Sequence, residues 1–361
     1  MIVKDEEKYI ERCLESVKGI FDEIVIVDTG SQDKTISLAK SFGARIVSHQ
    51  WQDNFSIARN ISLEHATCDW IFILDADEWL CQESKVLFKD LTDKKDILGY
   101  HIFRQPHPDW TESTIMRMFR NLPDLRFRGI FHETLTISEE QTDKFQLSEI
   151  RIHHQPWDGK SEESKLPRNI RILEKHLEKY PEDVYQILDL VRSKIKAKKF
   201  SESKDLLTRA SQILKKRKFH KDSYELYLTH YYLCLMHYYS ALGDKSESLS
   251  VCEKAVLEIP MYPLFYFEAA KLCYEMQKYD RALGYFNKCL AFNKNQEYGI
   301  NMIFPKAILG SQSFAGLGYC YFRKKQYKQS AQYFKDSLAL KNDLKIRSMY
   351  HSAITLSNHP H

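Results

Sequence analysis

Carboxylate side chains follow two apolar segments that have the composition of buried strands. Asp28 ends the segment EIVIVD (23–28), and Asp75 and Asp77 lie at the end of DWIFILD (69–75) and just beyond it. Several carboxylates at one sheet edge repel one another unless a positive group lies between them. A divalent cation, Mg²⁺ or Mn²⁺, suits such hard oxygen ligands, and phosphates can complete its coordination shell. These residues therefore predict a metal site that also accepts a nucleoside diphosphate.

The segments around these carboxylates alternate between helix and strand patterns. The expected elements are a helix over 5–18, a strand over 23–28, a helix over 36–43, a strand over 45–49, a helix within 54–66 and a strand over 69–75. This alternation predicts an α/β fold with a doubly wound, mostly parallel sheet. In such sheets ligands bind beyond the carboxyl ends of the strands, where Asp28 and Asp75 are expected to lie.

The composition of the 361-residue chain changes near residue 157. All five Trp lie in residues 1–157, whereas 19 of the 21 Tyr follow residue 160. Residues 1–157 hold 19 basic and 27 acidic side chains, net −8, and residues 158–361 hold 34 and 22, net +12. We therefore expect a first domain over 1–157, a linker helix over 158–182 and a second domain over 183–361.

The second domain has the pattern of tetratricopeptide-type helical repeats. Four segments fit the template of paired helices with a period near 34 residues: 183–217, 228–261, 262–296 and 310–344. Each such unit buries its apolar face only against a neighbour, so an all-α stack is expected. Two roles are open for it: structural support with homodimer formation, or capture of a peptide in the concave face.

Bulk properties exclude several classes of protein. A net charge of +4 is too balanced for a dedicated nucleic-acid binder. No apolar run approaches the ~20 residues that span a bilayer, and the acidic N-terminus does not resemble a signal peptide. Eight cysteines without a CxxC pair indicate reduced thiols. We therefore expect a soluble, cytoplasmic protein without nucleic-acid partners.

Ordered motifs extend through the first 157 residues: IVKDEE…ERCLESV (2–17), IVIVDTGSQDKT (24–35), NFSIARN (54–60), ILDADE (73–78), RMFR (117–120), FRGIFHE (127–133) and IHHQPW (152–157). Together they resemble the family 2 glycosyltransferases of the GT-A fold. The later motifs resemble the branch in which this domain is fused to tetratricopeptide repeats. Within that branch the chain is similar to enzymes that glycosylate bacteriocin precursor peptides on Cys or Ser, of the sublancin and thurandacin type.

The resemblance implies a nucleotide-binding role for four residues. Asp28 matches the strand-end Asp that binds the base of the donor, usually uracil, and Glu6 lies in the first-strand loop against the nucleoside. Arg59 matches the Arg of the A-R-N motif near base and phosphate. Asp75 matches the first Asp of the DxD motif, near the ribose and the metal.

It also implies the metal ligands and the catalytic base. Asp77 is the more direct ligand, Asp75 lies beside it, and His154 matches the third protein ligand. Glu133 is placed as the general base that accepts the proton of the acceptor. His153 and His154 are adjacent on a strand, so only one of them can face the site.

Simpler roles are open for several of these residues. Glu133 could instead orient an arginine, and Arg59 could be an ordinary surface residue. The arginines at 117, 120, 126 and 128 could hold a diphosphate or form a solvated face. The first strand begins at Met1, which predicts either an unusually short strand or a misassigned start codon.

The resulting hypothesis is a metal-dependent, inverting transfer of a sugar from a nucleotide sugar, such as a UDP-sugar, to a Cys, Ser or Thr side chain of a peptide or protein. The QxxRW signature of processive synthases is absent, which favours a single transfer. One alternative is transfer to a surface glycan, lipid or small molecule. Another is a tetratricopeptide scaffold whose transferase domain is inactive. The sequence does not specify the sugar or the acceptor.

Overall fold

The computed structural model of the chain describes residues 1–155, 159–218, 221–295, 298 and 302–358. Residues 156–158, at the expected boundary between the first domain and the linker helix, lie outside this range. The chain divides into two compact units. The first comprises residues 1–108 and 112–179, and the second comprises residues 109–111 and 180–361.

The first unit contains both α-helices and β-strands, as an α/β fold requires. Its helices are α1 (Ile10–Ser16), α2 (Thr35–Ser41), α3 (Phe55–Glu64), α4 (Leu87–Thr92) and α5 (Gly159–Lys179). Its strands are β1 (Ile2–Val3), β2 (Val25–Asp28), β3 (Arg45–Ser48), β4 (Trp70–Phe72), β5 (Glu78–Leu80), β6 (Gly99–Gln105), β7 (Ser113–Arg120), β8 (Phe127–Arg128), β9 (Thr134–Leu135) and β10 (Phe145–His154).

Strands β1, β2 and β3 form a parallel sheet in that order. The register pairs Val3 with Asp28 and Asp28 with Ser48, so the three strands end together. Ile26 and Val27 are fully buried because helices cover both faces of a parallel sheet. This arrangement places Asp28 at the carboxyl edge of the sheet, where the residue is 9% exposed.

Helix α1 begins later than the sequence predicts, at Ile10 instead of residue 5. The preceding residues bind the loop after β2: the backbone N–H groups of Asp5, Glu6 and Glu7 donate to Ser31, Thr35 and Asp33 side chains at 2.7–3.0 Å. Asp5 has a φ of 55°, which ends any helical path there. Side-chain acceptors outside the segment therefore replace the first helical turn.

The remaining strands form a five-stranded sheet in the order β4-β7-β6-β10-β5 and a small hairpin of β8 and β9. Only β6 and β10 pair in parallel within the larger sheet; the pairs β4–β7, β6–β7 and β5–β10 are antiparallel. Its core includes the fully buried side chains of Tyr100, Ile102, Phe119 and Ile150.

The second unit consists of consecutive helices, as the repeat pattern predicts. They are α6 (Val184–Lys196), α7 (Phe200–Lys216), α8 (Lys221–Ala241), α9 (Lys245–Glu258), α10 (Pro263–Glu275), α11 (Tyr279–Asn295), α12 (Ser311–Arg323), α13 (Tyr327–Leu340) and α14 (Leu344–Asn358). Each of the four template segments coincides with one helix pair, from α6–α7 to α12–α13. The prediction of an α/β domain followed by helical repeats is confirmed.

Close approach of α12 to its neighbours depends on two glycines. A Cβ atom at Gly318 would lie 2.6 Å from the ring of Phe334, and one at Gly316 would lie 2.3 Å from the ring of Phe286. Leu317 and Phe334 are fully buried. Small residues facing large ones therefore set the spacing of the helices in this unit.

Within the described part of the chain, no helix combines the length and apolar character needed to cross a membrane.

Candidate active site

Asp77 and His154 meet at one end of the larger sheet. Asp77 lies in the turn between β4 and β5, and His154 is the last residue of β10. The antiparallel register pairs His154 with Glu78, and the backbone N–H of Gln155 donates to the carbonyl oxygen of Asp77 at 2.8 Å. Nε2 of His154 consequently lies 3.3 Å from Oδ2 of Asp77. The imidazole is buried, whereas the side chain of Asp77 is 37% exposed and accessible to a ligand.

This spacing fits two ligands of one octahedral cation. At metal–ligand bonds of about 2.1 Å, two donors at right angles lie about 3.0 Å apart. The carboxylate suits Mg²⁺ and Mn²⁺, and the imidazole favours the transition metal of the two. Among the described residues, no three His, Cys, Asp or Glu side chains converge on one metal position. Water or phosphate oxygens would therefore supply the other ligands, as is common for such cations.

The two adjacent histidines face opposite ways. The ring of His153 packs against that of Trp79, with centroids 5.5 Å apart, while His154 contacts Asp77. This follows from the alternation of side chains along a strand. His154 is the member of the pair that faces Asp77.

Asp75 departs from the expectation of a metal ligand, because arginines occupy both of its oxygens. Nη1 of Arg59 donates to Oδ1 at 3.0 Å, and Nη2 of Arg117 donates to Oδ2 at 2.8 Å. Burial alone would raise the pKa of Asp75, but the charges of Arg117 and Arg59 outweigh burial and hold the pKa well below its usual range. At Asp75, two guanidinium groups thus supply the positive charge that the sequence analysis assigned to a cation.

Arg59 also holds Glu133. Its Nε and Nη2 atoms donate to Oε1 of Glu133 at 2.9 and 2.6 Å. Glu133 follows β8 in the hairpin loop, where Gly129 and His132 have φ values of 102° and 52°. Arg59 is 6% exposed, so it is not an ordinary surface arginine. Among the described residues, Oε2 of Glu133 accepts no hydrogen bond, which leaves this atom open to a proton donor.

Asp28 is the last residue of β2, and Glu6 lies in the loop between β1 and α1. Asp28 accepts hydrogen bonds from the backbone N–H groups of Gly30 and Ser31 at 3.0–3.3 Å, and these bonds hold the loop after β2. Burial, and then the negative charge of Asp77, raises the pKa of Glu6 to about 7. Glu6 is thus electrostatically coupled to the DxD turn, whereas the hydrogen bonds of Asp28 stay within its own loop.

Sequence reasoning missed the roles of Arg117 and Glu78. Arg117 is 6% exposed and bonded to both Asp75 and Glu78. Of the four arginines considered as a diphosphate cluster, it alone contacts site carboxylates within the described residues, since Arg120 stacks on Trp70 and Arg126 binds carbonyl oxygens. An arginine inside the apolar strand sequence TIMRMFR signals an internal ion pair.

Comparison with known proteins agrees with the motif pattern. Residues 1–149 match the family described as Glycosyl transferase family 2. A TPR repeat-containing protein of Synechococcus elongatus is 35% identical over 196 residues, which cover 51% of this chain and 49% of that protein. The SPbeta prophage-derived glycosyltransferase SunS of Bacillus subtilis is 29% identical over 191 residues, covering 51% and 45%. The chain thus spans about half the length of these curated relatives.

Comparison with solved structures gives alignments over about half of this chain. A tetratricopeptide repeat protein from Parabacteroides merdae aligns over 54% of this chain and 66% of its own, with 13% identity and a TM-score of 0.34. The arginine-linked carboxylates, the DxD turn and the family match all lie in the first unit. Residues 1–149 of this chain therefore match the Glycosyl transferase family 2, and α6 to α13 form consecutive helix pairs with the spacing of tetratricopeptide repeats.

Proposed function

We propose that the protein is a metal-dependent, inverting glycosyltransferase that transfers a sugar from a nucleotide sugar to a Cys, Ser or Thr side chain of a peptide. The observation that carries the proposal is the contact between Asp77 and His154. Next to it lie two further carboxylates, Asp75 and Glu133, and Arg59 bonds to both of them. The family match supports glycosyl transfer as the reaction class.

The donor is placed by residues of the first unit. We assign Asp77 and His154 as metal ligands, and Asp75, held by its two arginines, as an acceptor for the ribose. Asp28 and Glu6 take the nucleoside at the carboxyl edge of the parallel sheet. When bound, Mn²⁺ or Mg²⁺ neutralises charge on the departing diphosphate.

Glu133 is the proposed general base. Its Oε2 atom accepts the proton of the acceptor hydroxyl or thiol as the oxygen or sulfur bonds to the anomeric carbon. The bond between that carbon and the diphosphate oxygen breaks, and its electron pair leaves on the diphosphate. Arg59 orients the base through Oε1 while it holds Asp75. Attack opposite the leaving group inverts the anomeric configuration.

The repeat unit is proposed to receive the acceptor peptide. A groove of about 410 Å³ lies between α10, α12 and α14. Aromatic side chains Phe267, Tyr274 and Tyr319 line it. Its charged lining residues are Lys271, Lys341, Glu275 and Asp343. The net charge of +12 over residues 158–361 favours a peptide with acidic residues. Pairing of two copies through this unit is the alternative use of the same surface.

We place the reaction in the cytoplasm. All eight cysteines are free thiols, as in proteins of reducing compartments.

The test combines purified protein with Mn²⁺, a panel of UDP-sugars and peptides containing Cys, Ser or Thr, followed by intact-mass analysis. We expect a mass increase of one sugar on the peptide, abolished by EDTA and by Asp77→Asn. Glu64→Gln, an exposed carboxylate of α3, is the matched control and retains transfer.

Other outcomes separate the alternatives. If the sugar is transferred to a glycan, lipid or small molecule but to no peptide, the proposed acceptor class is wrong and the proposed transfer chemistry stands. A protein that neither binds Mn²⁺ with UDP nor hydrolyses any nucleotide sugar would be an inactive scaffold, and the proposal would fail.

A further inference from the structure

We propose that Glu78, the residue after the DxD motif, is the positioning residue that holds Asp75 and Asp77 in their working geometry. This inference rests on the proposed function, because it concerns the proposed metal and nucleotide site. Glu78 is fully buried, with 0% of its side chain exposed. A carboxylate so deeply buried must be compensated by several hydrogen bonds or ion pairs.

Both carboxylate oxygens of Glu78 are used, and they act on different parts of the site. Oε1 accepts from Nε of Arg104 and Nη2 of Arg117, each at 2.9 Å. Oε2 accepts from the backbone N–H of Asp75 at 3.1 Å. One side chain thus connects two arginines of the sheet with the backbone of the DxD turn.

The turn is closed from both ends. The backbone N–H of Glu78 donates to the carbonyl oxygen of Asp75 at 3.0 Å, in return for the bond from Asp75 N–H to Oε2. Asp77 lies within this ring of hydrogen bonds. The position of its carboxylate therefore depends on Glu78, although Glu78 is itself too buried to reach a ligand.

Glu78 also affects the position of Asp77 relative to His154, the second proposed metal ligand. As the first residue of β5, it is the register partner of His154 on β10. Loss of its side-chain bonds loosens the turn at the point where β5 begins, and with it the 3.3 Å approach of Asp77 to His154.

Arg117 links the carboxylates of Asp75 and Glu78 and supplies positive charge to both. Its Nη2 atom is shared between Oδ2 of Asp75 and Oε1 of Glu78. Without the charge of Glu78, Arg117 faces Asp75 alone, and Asp75 is drawn toward Arg117. Residues that orient metal ligands typically change metal affinity by about 10- to 100-fold when they are replaced.

The experiment compares Glu78→Gln with the native protein in full-length form. Binding of Mn²⁺ with UDP is measured by calorimetry, without acceptor or turnover, together with thermal unfolding. We expect the dissociation constant to rise about tenfold or more. Glu202→Gln is the matched control: it removes the carboxylate charge that pairs with the buried Lys194 in the second unit, and it lowers stability with unchanged binding.

If Glu78 had a purely structural role, Glu78→Gln and Glu202→Gln would both lower the unfolding temperature, and both would bind Mn²⁺ with UDP as the native protein does. If Glu78→Gln does not fold, the decision passes to Arg104→Met, whose side chain is 22% exposed and which removes one of the two partners of Oε1. Its dissociation constant should rise several-fold, and an unchanged value overturns the inference. If the native protein itself fails to bind Mn²⁺ with UDP, the proposed function fails, which is a distinguishable result.

Discussion

Arg59 and Glu133 are 74 residues apart in the sequence, yet Nε and Nη2 of the arginine donate to one oxygen of the carboxylate at 2.9 and 2.6 Å. The same guanidinium reaches Asp75 through Nη1 at 3.0 Å. Because a guanidinium is planar and rigid, it sets the relative orientation of the two carboxylates. Arg59 thereby links the proposed base to the DxD turn.

This link predicts how Arg59 and Glu133 variants behave. Glu133→Gln should reduce kcat about 10²- to 10⁴-fold, since a positioned base contributes that much. Arg59→Lys should reduce kcat with a smaller change in donor KM, because an ammonium cannot reproduce the paired bonds. Steady-state kinetics measure both effects. Arg45→Lys, at an exposed position of β3, is the control, and a Glu133→Gln enzyme within threefold of native kcat would remove Glu133 as the base.

The two neighbouring histidines offer a matched comparison for the metal site. His154→Ala should weaken Mn²⁺ binding by about tenfold or more, since it removes one of the two protein ligands. His153→Ala removes a ring that packs on Trp79 on the other face and should leave Mn²⁺ binding unchanged. Calorimetric titration of Mn²⁺ in the presence of UDP measures both. Equal affinities in the two variants would contradict the assignment.

Glu6 predicts a specific pH dependence of stability. Burial, and then Asp77, raises its pKa from 4.5 to about 7 in the folded protein. The folded state binds the proton of Glu6 more tightly than the unfolded chain does, and protonation of Glu6 therefore stabilises the fold. This contribution is fully present below pH 4.5 and is lost as the pH rises through 7. Glu6→Gln should reduce the dependence of the unfolding free energy on pH between pH 4.5 and 7, as measured by urea titrations at several pH values. Glu11→Gln, at an exposed carboxylate of α1, should keep the native slope; a native slope in Glu6→Gln would refute the assignment.

The proposed acceptor groove can be blocked without touching the core. Gln312 is an exposed residue of α12 that lines the groove. Gln312→Trp should raise the KM for peptide about tenfold while hydrolysis of the nucleotide sugar stays unchanged. Gln332→Trp, on the exposed surface of α13, is the control. Equal peptide KM values in both variants, combined with a loss of dimers in Gln312→Trp alone, would favour the pairing role.

Two helical glycines should respond oppositely to the same substitution. Gly318→Ala places a Cβ atom 2.6 Å from the ring of Phe334 and should lower the free energy of unfolding by about 1–3 kcal/mol. A Cβ atom at Gly284 in α11 meets nothing within 4 Å, so Gly284→Ala should stabilise by about 0.5–1 kcal/mol. Thermal and urea unfolding measure both. Similar stabilities would show that α12 and α13 pack less closely than the structure has them.

The sequence by itself determined most elements up to residue 75 and the helix pairs of the second unit, and it named the candidate site residues. Alternating patterns identified the strands that end at Asp28 and precede Asp75, and a near-34-residue period identified the helix pairs from α6 to α13. Both follow from side-chain periodicity within a single element, which does not require knowledge of distant contacts. The orientation of His154 against His153 follows from the same local rule.

Only the tertiary structure decided how the site charges are paired. The sequence could not show that Asp75 is neutralised by Arg59 and Arg117, nor that Glu78 is fully buried between Arg104 and Arg117. Each of these contacts joins elements far apart in the chain, and the partner of a buried charge is chosen by three-dimensional proximity, because burial makes an unpaired charge too costly. The start of α1 was misjudged for a similar reason, since side chains of the loop after β2 bind its first residues.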